Sequence, residues 1–140
     1  MDKRFWIAGI VASVLFFLLG FLVHGSLMTN DYMQIKSMFR PEADLNANMT
    51  WMILAHVIMG FAFAWIYSRG ISGASWVMQG IRYGIAVALL VTVPMNMIYY
   101  SIQPWPGTTI VKMTVFDSLS LIITAVIVAF IYKPRAAELA

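Results

Sequence analysis

Four long apolar runs constrain this chain more than any other feature. They extend from about Phe5 to Met28, Met49 to Tyr67, Trp76 to Ile102 and Thr108 to Tyr132. A bilayer core about 30 Å thick takes a helix of about 20 mostly apolar residues to cross it. The runs are continuous and do not alternate, which excludes a barrel. In lipid the backbone must satisfy its own hydrogen bonds, and a helix does this within one segment. The expected fold class is an all-α integral membrane protein with four transmembrane helices in a compact up-down bundle. Residues 1–140 are expected to form one domain. Composition agrees: 61% of residues are hydrophobic and only 11% charged, against about a quarter charged in a soluble chain. That is too few charges to cover a water-facing surface.

Basic residues orient the runs. Lys3, Arg4, Arg69, Lys133 and Arg135 fall on one side. On the other, Lys36 and Arg40 are diluted by Asp31, Glu42 and Asp44. The positive-inside rule makes the first side cytoplasmic, with both termini inside. Trp51, Trp76, Tyr99, Tyr100, Trp105 and Tyr132 lie near run ends, as an interfacial aromatic belt requires. The first run is too long for a signal-peptide core of about 7–15 residues and no small-x-small cleavage site follows, so it reads as a retained helix. The expected location is a bacterial cytoplasmic membrane. The net charge of +3 does not point to nucleic acid, because the basic residues sit at run ends instead of forming a patch.

The longest connection, Thr29 to Asn48, carries Tyr32, Ile35 and Phe39 at helical spacing. Asn30 is a suitable cap and Pro41 a stop, so a short amphipathic helix on the outer surface is expected. Gln103-Pro104-Trp105-Pro106-Gly107 reads as a rigid outer turn. A faint repeat is present: Ala64-Trp65-Ile66-Tyr67 closes the second run and Ala129-Phe130-Ile131-Tyr132 the fourth. Asn48-Met49-Thr50 matches a glycosylation sequon, a short motif with little specificity.

Small residues bring helices together in lipid, where the hydrophobic drive between them is weak. Gly80, Gly84 and Ala88 form such a stripe on the third run. Pro94 should kink the same helix and free a carbonyl near Leu90. Charged groups at membrane depth need partners. Asp117 lies about 14 Å from the outer end of its run and Arg82 about 9 Å from the inner end of its own, at about 1.5 Å per residue. These levels nearly meet, and a buried Arg82–Asp117 ion pair is expected. Thr92, Asn96 and Tyr99 on the third helix, with Thr114, Asp117, Ser120 and Thr124 on the fourth, suggest a polar crevice between the two. Lys112 either snorkels to the headgroups or joins that crevice.

His24 and His56 both fall toward the outer leaflet. They are the residues through which a haem or pigment would be held, although their depths differ by several ångströms. No third ligand is spaced for zinc, there is no cysteine for redox or metal chemistry, and no metal or other cofactor is expected. No nucleotide-binding loop, metalloprotease helix or nucleophile elbow is present. In size and span count the chain resembles the small four-helix bacterial membrane proteins, a likeness that transfers no residue roles. Its expected function is non-catalytic: an accessory or interaction subunit, in contact with lipid and with other membrane subunits or a second copy of itself. A small transporter or small-molecule binder working through the crevice is the alternative.

Overall fold

The computed structural model describes residues 2–72 and 75–133. Among them the chain is all-helical. Helix α1 (Lys3–Leu22) continues through a π-helical turn, Val23–Leu27. Two short helices follow, α2 (Thr29–Met33) and α3 (Glu42–Ala47), with a 3-10 turn at Lys36–Met38 between them. Helix α4 is Met49–Arg69. Helix α5 (Trp76–Val87) passes through a second π turn, Ala88–Thr92, into α6 (Val93–Ile102). Helix α7 is Gly107–Tyr132. Four of these stretches are long and apolar enough to cross a bilayer: Lys3–Leu27, Met49–Arg69, Trp76–Ile102 and Gly107–Tyr132. The chain therefore reads as a multi-pass membrane protein.

Local chemistry sets the ends. Asp2 caps α1 by accepting from the Arg4 amide at 3.1 Å, and Ser75 caps α5 by accepting from the Met78 amide at 3.4 Å. Such caps satisfy amides that have no partner inside the helix. Gln103, placed before Pro104, is extended (φ −129°, ψ 147°) and ends α6. Pro94 does not simply kink the third span. Its ring clashes with the carbonyl four residues back, at Leu90, and the chain absorbs the clash by widening Ala88–Thr92 into a π turn.

The first and second spans run along each other, as do the third and fourth, and the first and fourth spans form the seam between these pairs. Glycines set the closest crossings. A Cβ on Gly80 would sit 2.7 Å from the Val126 Cα, and one on Gly84 2.6 Å from the Ile122 Cα. The Gly80–Gly84–Ala88 stripe thus packs backbone to backbone on α7. Gly60 meets Ser13 in the same way, with its imagined Cβ 2.6 Å from the Ser13 Cα.

The two ends of the molecule are built differently. The end carrying Lys3, Arg69 and Lys133, here the basic end, holds the larger core: Phe5, Ala8, Ala12, Phe16, Phe63, Ala64, Tyr67, Ala125, Val128, Ala129 and Tyr132. The repeated chain endings meet there, with the Tyr67 and Tyr132 rings 5.5 Å apart. The opposite end, here the loop end, has a smaller core of Val23, Met28, Ile110 and Met113, with Tyr32, Trp105 and Phe116 packed on it.

The connection between the first two spans departs from the expected surface helix. It is broken into α2, a 3-10 turn and α3, and Phe39 is extended (φ −99°, ψ 154°). Asn30 lies inside α2, which Met28 precedes with no side-chain cap. The physical reason is the apolar face. Ile35 is buried and Tyr32 and Phe39 pack on Trp105, with ring centroids 6.3 and 6.1 Å away. These residues fold inward over the Pro104–Pro106 turn, where Tyr32 and Phe39 meet the Trp105 ring.

Candidate functional site

Five ionisable side chains of the loop end, His24, Asp31, Tyr32, Lys112 and Asp117, meet at the seam between the first span, α2 and α7. His24 Nε2 lies 3.1 Å from Asp117 Oδ1. On its other side, His24 Nδ1 meets the Tyr32 hydroxyl at 2.5 Å. Lys112 Nζ donates to both carboxylate oxygens of Asp31, at 2.9 and 3.1 Å. Asp31 is only 11% exposed and Lys112 is 52% exposed, so the pair ties a buried carboxylate of the loop to a more exposed cation of α7.

The proton positions follow from the surroundings. Burial, and then the nearby Asp117 and Asp31 carboxylates, push the Tyr32 phenol well above its ordinary range. Tyr32 therefore keeps its proton, and the direction of its bond with His24 Nδ1 is set by the imidazole tautomer. Toward Asp117, an ionised carboxylate can only accept, so a proton on Nε2 is what makes that contact a hydrogen bond. Tyr32, His24 and Asp117 form one hydrogen-bonded chain. With His24 neutral, the carboxylates of Asp31 and Asp117 outweigh Lys112 by one negative charge. A proton on the imidazole would turn the His24–Asp117 hydrogen bond into an ion pair and balance the cluster.

The π turn makes this placement. Its extra residue per turn is seen in the Met28 amide bonding to the Val23 carbonyl at 2.9 Å. The Thr29 hydroxyl answers the loosened Gly25 and Ser26 carbonyls, each at 3.1 Å. The wide turn shifts the phase of the chain as it enters α2. Isolated π turns of this kind are frequent at functional sites.

Of the crevice expected between the third and fourth spans, the structure brings together Asn96 and Thr114. The buried Asn96 amide donates to the Thr114 hydroxyl at 3.0 Å, and Thr114 donates to the Ile110 carbonyl at 2.8 Å. This is an interhelical hydrogen bond. Ser120 bonds back to its own helix at Phe116. Thr124 is fully buried, Thr92 lies within the π turn, and Tyr99 is exposed. Lys112 and Asp117 turn away to Asp31 and His24. Helix geometry accounts for the split: α7 lies between two neighbours, and residues three apart differ by about 60° around the axis. Thr114 and Asp117 thus fall on opposite edges of its buried stripe.

The expected Arg82–Asp117 pair is not among the ion pairs of the described residues; Asp117 is held by His24. Arg82 instead lines a cleft of about 320 Å³ at the basic end, with Ile66, Tyr67, Gly70, Ser72, Gln79 and Tyr83.

The two histidines are placed apart in role. Both nitrogens of His24 are engaged as described. His56 Nδ1 bonds to the Met52 carbonyl at 2.6 Å, its ring packs edge-on to Phe17, and its Nε2 faces Gly20. As placed, His24 has no nitrogen open to a haem iron. No group of three or more His, Asp or Glu side chains is gathered for a metal among the described residues.

Sequence reasoning did not bring Asp31 and Tyr32 into the site: Asp31 entered only as an acid of the connection, and Tyr32 as part of the expected surface helix. They follow His24 by seven and eight positions, about two helical turns, but the π turn between them changes the phase that a regular helix would give. Comparison with protein-family models, with curated proteins and with solved structures returns no match.

Proposed function

We propose that this chain is a non-catalytic accessory protein of a bacterial cytoplasmic membrane, a single up-down bundle with both termini inside. In this reading, protonation at the outer end governs how its outer loop is seated. The observation that carries the reading is the Tyr32–His24–Asp117 chain. One imidazole, the side chain whose ordinary ionisation lies nearest physiological pH, joins the loop to the fourth span. Orientation rests on the charge asymmetry of the ends. At the basic end Lys3, Arg4, Arg69, Arg82 and Lys133 face Asp2 alone among the described residues, whereas at the loop end acids and bases are mixed.

The test is native mass spectrometry of the chain released from lipid nanodiscs at several pH values. The expected result is a bound membrane subunit or second copy whose occupancy changes with pH in the native chain and not in His24→Gln. A chain that is alone at every pH would remove the accessory reading. Equal pH dependence in His24→Gln would remove the role of the imidazole.

A second reading, a small transporter, is favoured by the partial exposure of His24 and Asp117 at the loop end. It predicts proton-linked flux in proteoliposomes that is lost in Asp117→Asn and kept in Ser120→Ala.

A further inference from the structure

Arg82 and its cleft take no part in the loop-end network. The cleft opens between the end of the second span and the start of the third. Its lining is mixed. Ile66, Tyr67 and Tyr83 give it apolar and aromatic surface, and Gly70, Ser72, Gln79 and Arg82 give it polar groups. The walls are fixed. The Tyr83 hydroxyl donates to the Phe63 carbonyl at 2.7 Å and locks the two spans together. The Gln79 side chain accepts from the Ser72 amide at 3.0 Å and donates to the Ser72 carbonyl at 2.7 Å, holding the connection against α5.

Into this fixed cleft Arg82 brings a charge without a counterion. No carboxylate is paired with its guanidinium among the described residues. Arg69, the nearest basic residue in sequence at this end, is turned elsewhere, its guanidinium 5.5 Å from the centre of the Trp65 ring. An arginine about 9 Å along its helix from the first residue reaches the headgroup level by extending its apolar stem along the protein. The planar guanidinium matches phosphate in a bidentate geometry. A basic pocket between spans on the positively charged side is the setting in which anionic headgroups are held.

We infer that the Arg82 cleft is a binding site for the phosphate of an anionic phospholipid of the basic-end leaflet. The phosphate lies on Arg82 and the glycerol and upper acyl carbons on Ile66 and the tyrosine ring faces. The mixed apolar and polar lining favours a lipid over free phosphate, since a free ion has no use for the apolar surface.

The test uses the full chain in detergent, titrated with phosphatidylglycerol, phosphatidylcholine or inorganic phosphate and read by native mass spectrometry and thermal unfolding. Phosphatidylglycerol should be retained and should raise the melting temperature, with phosphatidylcholine much weaker. Arg82→Gln should weaken retention about tenfold, the scale of one charge-assisted contact. Arg69→Gln should leave it unchanged. Ile66→Trp, which fills the cleft and keeps the charge, should also weaken it, and it decides the matter if Arg82→Gln fails to fold. Undiminished retention in Arg82→Gln or in a folded Ile66→Trp would overturn the inference. Equal protection by inorganic phosphate would overturn the lipid assignment.

Discussion

The two ends of this molecule solve the same problem by different means. At the basic end the spans are held by shape: alanines and glycines let backbones approach, and Phe16, Phe63, Tyr67, Tyr83 and Tyr132 fill the space between them. At the loop end the apolar cluster is small, and ion pairs and a hydrogen-bonded chain attach the loop. Packing in lipid depends on volume and is indifferent to pH. A polar network depends on each group keeping its partner and its proton. The basic end should therefore behave as a fixed frame and the loop end as an adjustable part.

The largest effect should come from the frame. Gly84→Leu would drive a side chain into the Ile122 backbone, where even a Cβ is too close. A loss of about 3 kcal/mol or more is expected, read by thermal unfolding in detergent, with the third and fourth spans separating. Tolerance of leucine there would mean that the two helices are not apposed as described.

A smaller and more local loss should follow at the loop end. Asp31→Ala leaves Lys112 without its carboxylate and should cost about 2 kcal/mol. Hydrogen exchange should speed up in Thr29–Phe39 and stay unchanged around Phe63–Tyr67. A double variant with Lys112→Met should be little worse than Asp31→Ala alone. Simple additivity would show that the two side chains act separately.

Alkali should weaken the attachment of the loop. Because the Tyr32 phenol is shifted upward on folding, its contribution is fully present below the ordinary phenol value of about 10. It is lost as pH rises above that value, where the unfolded chain releases a proton that the folded one retains. Protection of α2 should fall over that range, and Tyr32→Phe should remove the Tyr32 share of the fall. The smallest change is expected from Tyr83→Phe, which loses one bond to the Phe63 carbonyl, about 1 kcal/mol, with no effect on exchange in the loop.

The same contrast governs how much could be read from the sequence. The spans were legible to within two residues at each end, because hydropathy and length act along the chain. The glycine stripe was legible for a related reason, since a four-residue spacing fixes one helix face whatever lies opposite. What depth alone could not give was rotation. Arg82 and Asp117 were matched by their level in the membrane, yet the choice of partner turns on which edge of α7 Asp117 occupies. The loop was read as a surface helix because its apolar spacing was visible while its target, Trp105, lies far along the chain. The network joining Asp31, Tyr32, His24 and Asp117 depends on a π turn that breaks helical periodicity, the very signal used to find it.

That wide turn also acts as a spacer one residue thick. Deleting Ser26 would return Val23–Leu27 to ordinary helical bonding, and because a π turn winds about five residues through the angle an α-helix covers with four, α2 would keep nearly its present phase. Tightening the same turn with every residue kept would instead rotate everything beyond it by about 100°. Asp31 and Tyr32 would then swing off the fourth span with no change to their own chemistry. The alignment of the loop with the helices beneath it is thus stored in the bonding pattern of one turn.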